Sequence, residues 1–187
     1  MCQLDSPCAI KTKKKLAGAL KELMQTTTFD KITVSDITEK CNVHRQTFYY
    51  HFQDRYELLD WIFAKELIEP FTDNINSDNL QEKVYNLFET MAENKKFYQH
   101  ALQTNSDDLI RYISKIASEQ YLVIFKNVSK ESGINSDDEA DELMAEFFGY
   151  GICGIVMSWA LRGMKEPPKA MTDKLDNFFI NYKKIKS

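Results

Sequence analysis

The sequence holds few of the residues on which disulfide, metal or catalytic sites depend. Its 187 residues include four cysteines and three histidines; the cysteines form no Cys-x-x-Cys pair and the histidines are scattered. These patterns exclude a disulfide framework, give no indication of a metal site and lead us to expect no cofactor. The sequence also has no ordered Ser-His-Asp set, phosphate-binding loop or paired carboxylates, so we expect a protein that is not an enzyme.

A long apolar run and a secretory leader are also missing. Residues 147–161 carry no charge, but a membrane span needs about 20 such residues. The first lysines follow the few apolar residues of the N-terminus and do not precede them. We therefore expect a cytoplasmic protein with no membrane partner. Strand-like alternation persists nowhere, whereas apolar residues recur at helical spacing, which predicts an all-α fold.

Residues 33–59 predict two short helices that are joined by a tight turn. Thr33 is placed to cap the first helix, and Asp36 stands three residues further on. Asn42 suits the left-handed residue that ends this helix, because asparagine tolerates that conformation better than most residues. Two helices joined so closely must cross at a steep angle, which is the helix-turn-helix arrangement.

The second of these helices carries side chains that suit contact with DNA. Arginine pairs with guanine, glutamine with adenine and a threonine methyl group with thymine, whereas other polar groups suit phosphate oxygens and fix the register. We predict base contacts from His44, Arg45, Gln46, Thr47 and Tyr50, and phosphate contacts from Ser35, Tyr49, His51, Arg55 and Lys14. An ordinary polar surface helix would fit the same composition.

The recognition segment of the TetR family of bacterial transcriptional regulators resembles the run NVHRQTFYYHFQDRYELL. Its usual form is Gly-Val-Ser-x-x-Thr-Leu-Tyr-x-His-Phe, followed by a lysine and two leucines, and the similarity covers roughly residues 10–60. The positions that match are Thr47, Tyr49, His51, Phe52, Leu58 and Leu59. Three positions depart from it: Asn42 replaces glycine, Arg55 replaces lysine, and His44 replaces serine and is a weaker helix cap.

The resemblance implies a homodimer that binds double-stranded DNA at a pseudo-palindromic operator and responds to an effector. Repression is the more frequent outcome in this family. We expect a three-helix head at residues 1–53, with its core at 10–53, and a body at 54–187, about nine helices in all. Residues 1–55 have a net charge of +3 and the remainder −7, which places the basic character on the head.

Large apolar side chains of the body, some with polar tips, are candidates for an effector pocket. They are Tyr98, Tyr112, Tyr121, Phe125, Phe147, Tyr150, Met157 and Trp159. Ordinary core packing is the commoner role of such residues at any single position.

Three glycines spell a Gly-x-Gly-x-x-Gly pattern inside an apolar helix. No strand precedes them, so the pattern is not a dinucleotide-binding fingerprint, and glycine instead permits close approach by another helix. The last two helices form the dimer interface in the resembled family. We therefore assign Gly149, Gly151 and Gly154 to that interface, together with Leu175, Phe178 and Tyr182 from a heptad-like seam in the final helix.

The body also resembles one branch of the family, which includes the DhaS-like regulators of dihydroxyacetone kinase. The similar runs include KKFYQHAL and GICGIVMSWALRGMKEPP. In that branch a regulator works with a kinase-like partner protein. The resemblance therefore leaves two kinds of effector open, an unknown small molecule and a protein coregulator.

Overall fold

The computed structural model describes residues 6–104, 106–131 and 138–185, and every regular element within these ranges is a helix. The expected all-α fold is confirmed. The head comprises α1 (Pro7–Leu23), a 3₁₀ turn (Phe29–Lys31), α2 (Val34–Lys40) and α3 (Arg45–His51). The body contains α6 (Leu80–Glu93), α7 (Lys95–Thr104), α8 (Ser106–Glu131), α9 (Asp138–Leu161) and α10 (Pro168–Ile185).

A continuous helical rod links the head to the body. It consists of α4 (Arg55–Phe63), a π-helical segment (Ala64–Ile68) and α5 (Glu69–Thr72). Pro70 lies just after the π-helical turn. In a regular α-helix its ring would clash with the carbonyl group four residues earlier, and its nitrogen has no hydrogen to donate to that carbonyl. The wider turn accommodates the proline without ending the helix. With this rod counted once, the described ranges contain nine helices.

The head packs around a small core that all three of its helices share. Leu16 and Leu20 of α1, Ile37 of α2 and Phe48 of α3 are fully buried in it. Burial of each such side chain contributes about 1.5–3 kcal/mol. This core, to which α1 contributes, therefore holds the short helices α2 and α3 in place.

Close contact between α8 and α9 organises the body. At Gly149 of α9, a β-carbon would lie 2.6 Å from the backbone nitrogen of Ser118 in α8, so only glycine allows the two helices to approach this closely. The final helix, α10, packs against α6. The indole of Trp159 fills the space beside Phe88, with ring centroids 4.9 Å apart.

Among the described residues, α9 is the one helix that is long and apolar enough to cross a membrane. The core helix of a soluble protein can have the same length and apolar composition, so this is weak evidence for a span. Packing against α8 accounts for part of the apolar character of α9, and an uncharged seam on its exposed side accounts for the rest.

Candidate DNA-binding site

The turn between α2 and α3 is held by hydrogen bonds at both ends of α2. At its start, the backbone N–H of Asp36 donates to Thr33 Oγ1 (3.2 Å) and that of Thr33 donates to Asp36 Oδ2 (2.7 Å). The backbone N–H and the hydroxyl of Thr33 both donate to the carboxylate of Asp36, and these two bonds lower its pKa. At its end, Asn42 is left-handed with φ 51°, and the N–H of Val43 donates to the carbonyl of Thr38 (2.9 Å). The position of α3 relative to α2 is thereby fixed.

One side of α3 faces the core and the other faces solvent. Phe48 is fully buried, whereas Tyr49 is 48% exposed and Tyr50 is 51% exposed. Of the other predicted base-reading residues, Thr47 is half-buried, and three are exposed: His44, Arg45 and Gln46. The side chain of His44 makes no capping hydrogen bond, as expected for a weak cap.

Arg45 and Tyr49 form a pair along the exposed face of α3. Nη2 of Arg45 donates to the hydroxyl of Tyr49 at 3.2 Å, and the guanidinium carbon lies 5.6 Å from the centroid of the tyrosine ring. A cation over an aromatic face is attracted to it. The tyrosine therefore limits the directions in which the arginine can point before DNA arrives.

The predicted phosphate-contacting residues have different surroundings. Lys14 on α1 is exposed, and Ser35 lies half-buried in the first turn of α2. The Nδ1 atom of His51 is buried without a hydrogen-bond partner among the described residues. Burial and the charge of Lys13 lower the pKa of His51. The neutral imidazole is therefore favoured, which weakens the case for a charged contact between His51 and phosphate.

Arg55 points inward and holds the 3₁₀ turn of the head against α4. Its Nη1 donates to the carbonyl oxygens of Phe29 (2.7 Å), Asp30 (3.1 Å) and Ile32. The guanidinium carbon also lies 4.9 Å from the centroid of the Phe29 ring. These contacts give Arg55 a structural role, and its contact with phosphate stays a prediction.

A partly buried polar joint connects the head, the linking rod and the body. Nζ of Lys21 in α1 lies 2.7 Å from Glu66 Oε2 in the π-helical segment. The hydroxyl of Tyr98 in α7 donates to the same oxygen at 2.9 Å. Burial, reinforced by the charge of Glu66, raises the pKa of Tyr98 well above its ordinary value. Tyr98 was predicted in an effector pocket, but the structure places it in this joint.

The body contains an apolar cavity between the linking rod and helices α6 to α9. Its volume is about 70 Å³, counted as the space that the centre of a water-sized sphere can occupy. Phe63, Leu67 and Phe71 of the rod form one wall, and Ile152 and Met157 of α9 lie on another. All eight predicted pocket residues lie in the described ranges, and of these Met157 alone lines the cavity.

The other predicted pocket residues lie elsewhere. Trp159 and Tyr121 are buried, and Tyr121 stacks near Phe125, with ring centroids 6.0 Å apart. Three are exposed: Tyr112, Phe147 and Tyr150. The sequence did not predict the rest of the cavity lining, nor Lys21 and Glu66, because none of these residues belongs to a distinctive local motif.

An uncharged seam runs along the exposed side of α9. Its members recur at spacings of three or four residues and comprise Leu143, Phe147, Tyr150, Gly154, Ser158 and Leu161. A β-carbon at Gly151 or Gly154 would meet nothing within 4 Å, in contrast to Gly149. Leu175 is buried in α10. The side chains of Phe178 and Tyr182 lie outside the described residues.

Two family profiles match the chain. The profile for bacterial regulatory proteins of the TetR family matches residues 16–62, and that for a transcriptional regulator C-terminal region matches residues 78–181. The chain therefore belongs to the TetR family and is a transcriptional regulator. Regulators of this family bind DNA and usually form dimers.

Two DhaS relatives show which branch of the family the chain resembles. The chain is 32% identical over 162 residues to the HTH-type dhaKLM operon transcriptional activator DhaS of Lactococcus lactis subsp. lactis (strain IL1403), covering 86% of this chain and 85% of the relative. A solved structure of the dihydroxyacetone kinase operon activator DhaS superposes with a TM-score of 0.77 at 28% identity, covering 94% of this chain and 98% of that one. The expected resemblance to the DhaS-like branch is confirmed.

A more distant structure shares the fold. The fatty acid degradation regulator FadR from Bacillus halodurans superposes with a TM-score of 0.56 at 16% identity, covering 87% of this chain and 91% of that one.

Proposed function

We propose that the protein is a cytoplasmic, homodimeric regulator that reads a pseudo-palindromic operator through α3 and has no catalytic activity. The head would comprise residues 1–53 and the body residues 54–187. The exposed polar and aromatic face of α3, held by the capped turn that precedes it, is the observation that carries this proposal. Arg45, Gln46 and Thr47 would contact bases, and Lys14 and Tyr49 would contact phosphates.

The uncharged seam of α9 supports the homodimer. Leu143 is 68% exposed and Phe147 is 64% exposed, and burying such side chains against a second copy would remove apolar surface from water. Spacings of four and three residues suit the packing of one helix on another. Such a dimer would place its two recognition helices about 34–36 Å apart, or a multiple of that distance.

An effector bound by the body would control the affinity for DNA. The joint of Lys21, Glu66 and Tyr98 supports this control, because a shift of the linking rod would disturb contacts on both of its sides. Coupling requires that the effector favour one of two arrangements of head and body. Repression is common in the family, and activation is a second candidate because the Lactococcus lactis relative is named as an activator.

A salt titration of the protein on DNA from upstream of its own gene tests this proposal. We expect sequence-selective binding whose logarithm falls by about 0.9 per log unit of salt for each phosphate neutralised. Arg45→Ala should relax the preference at one operator position by about 1–3 kcal/mol. Lys14→Ala should weaken binding to all sequences and reduce the salt slope by about 1. Lys115→Ala, which removes an exposed lysine from α8, is the control.

Binding without selectivity, or no binding, would contradict control by a small molecule acting on this protein alone. A protein coregulator would then be the better candidate. A small molecule that changes the operator affinity of the purified protein would instead argue against any need for a partner.

A further inference from the structure

The cavity in the body has the chemistry of a binding site for one class of ligand. Its described lining is aliphatic or aromatic apart from two methionines and the thiol of Cys153. Among the lining residues that the structure describes, none has an acidic, basic or amide side chain. A charged ligand would therefore lose its hydration without gaining a partner, which costs several kilocalories per mole or more.

The size of the cavity suits a molecule of several heavy atoms. One water molecule needs about 10–15 Å³ measured at the centre of a water-sized sphere, and this cavity offers about 70 Å³ by that measure. Apolar cavities stay dry and bind small hydrocarbons. Met91 and Met157, on different helices, lie on the lining, and flexible methionine side chains can adapt to the outline of a ligand.

One corner of the cavity is slightly polar. The thiol of Cys153 lines the cavity, and burial raises its pKa, so the neutral thiol is favoured. Nearby, the hydroxyl of Tyr121 is buried and has no hydrogen-bond partner among the described residues. Tyr121 is not among the lining residues, so Cys153 offers a ligand one uncharged polar contact and no counter-ion.

The cavity also touches the element that reaches the head. Leu67 and Ile68 of the π-helical segment line it, while Glu66 of the same segment holds Lys21 and Tyr98. A molecule in the cavity therefore contacts the linking rod one residue away from the polar joint. That position suits an effector, because differential contact with the rod is what would couple the two sites.

From these observations we infer that the cavity binds an uncharged, predominantly hydrocarbon small molecule, which is the effector of the regulator. The second part of this inference rests on the proposed function, whereas the ligand class does not. Small polyhydroxylated molecules such as dihydroxyacetone are excluded as occupants, since the lining cannot replace their hydrogen bonds to water.

Toluene, benzoate and dihydroxyacetone are suitable probes for the ligand class. The first two share a ring and differ in charge, and dihydroxyacetone is small and polar. Binding is followed by the NMR signals of ¹³C-labelled methionine methyl groups in the intact protein. Toluene should shift the signals of Met91 and Met157 saturably and leave that of Met24, in the core of the head, unchanged. Benzoate and dihydroxyacetone should bind at least about tenfold more weakly.

Filling the cavity should abolish these shifts. Val156→Phe places a larger side chain on the lining, and Val123→Phe makes the same change at an exposed position of α8. Ala117→Leu, on a different wall, serves if Val156→Phe does not fold. The inference is overturned if toluene gives no saturable shift, if benzoate binds as tightly, or if the filled variants respond like the original protein.

The affinity of the protein for its operator, measured with and without toluene, separates the two proposals. Methyl shifts together with a change in operator affinity support both. Methyl shifts without a change in affinity uphold the ligand class and contradict the proposed effector control. Loss of operator binding in every condition contradicts the proposed function and leaves the NMR result to decide the ligand class.

Discussion

Replacement of Gly149 by alanine would test the packing of α8 against α9. The added β-carbon would lie 2.2 Å from Ser118 Oγ, 2.6 Å from Ser118 N and 2.8 Å from Ser118 Cα. The hydroxyl can rotate away, but the other two atoms belong to the backbone of α8, so the helix itself must move. Overpacking of this kind costs about 1–3 kcal/mol, and backbone contact places Gly149→Ala near the upper limit.

The net effect also includes the helix preference of alanine. Alanine is better than glycine in a helix interior by about 1 kcal/mol, which offsets part of the steric cost. We therefore expect Gly149→Ala to lower the free energy of unfolding by about 2 kcal/mol. Urea denaturation at several protein concentrations measures it, because the stability of a dimer depends on concentration.

Gly154→Ala is a matched control in the same helix. A β-carbon there meets nothing within 4 Å in the subunit, so we expect the subunit to gain about 1 kcal/mol. If the seam of α9 is the dimer interface, the same variant should weaken dimerisation in sedimentation equilibrium. Equal stability of Gly149→Ala and the original protein would refute the reasoning about Ser118.

Three further substitutions test individual contacts. Tyr98→Phe removes the hydroxyl bound to Glu66 and should cost about 1.5–3 kcal/mol in urea denaturation, whereas Tyr112→Phe, at an exposed position, should change nothing. Arg55→Ala should lower the melting temperature by removing three bonds to backbone carbonyls, and Arg55→Lys should restore only part of the loss because lysine has no planar guanidinium to stack on the Phe29 ring. Asp36→Asn should destabilise the protein near neutral pH. Since the folded pKa of Asp36 is lowered, its contribution is complete above the ordinary aspartate pKa and is lost as the pH falls through the folded value, so the two melting temperatures should converge in acid.

The helix-turn-helix could be predicted because its signals are local. Thr33 and Asp36 lie three residues apart, and α2 ends where the N–H of Asn42 donates to the carbonyl three positions earlier and that of Val43 to the carbonyl five positions earlier. Such short-range hydrogen bonds depend on residue type and spacing, which the sequence displays directly. The capping roles of these residues were accordingly predicted from sequence and are found in the structure.

The role of Arg55 depends on contacts that sequence spacing does not show. Its acceptor at Phe29 lies 26 residues earlier in the chain, and the partner of Tyr98 lies 32 residues away. An exposed arginine on a DNA-binding head and an arginine that binds carbonyls look the same in a sequence. Tertiary structure alone brings the acceptors of these side chains within reach.

The cavity was missed because voids and filled cores have the same sequence pattern. Aromatic side chains such as Trp159 and Tyr98 are large enough to fill the space that they enter, and both are fully buried. Space remains where shorter side chains such as Val84, Ile113 and Val156 face one another across helices that are distant in sequence. Whether they meet depends on the distance between helix axes, which hydrophobic periodicity does not encode. Large aromatic residues therefore mark the filled part of the core, whereas the aliphatic residues that line the remaining space indicate the class of ligand.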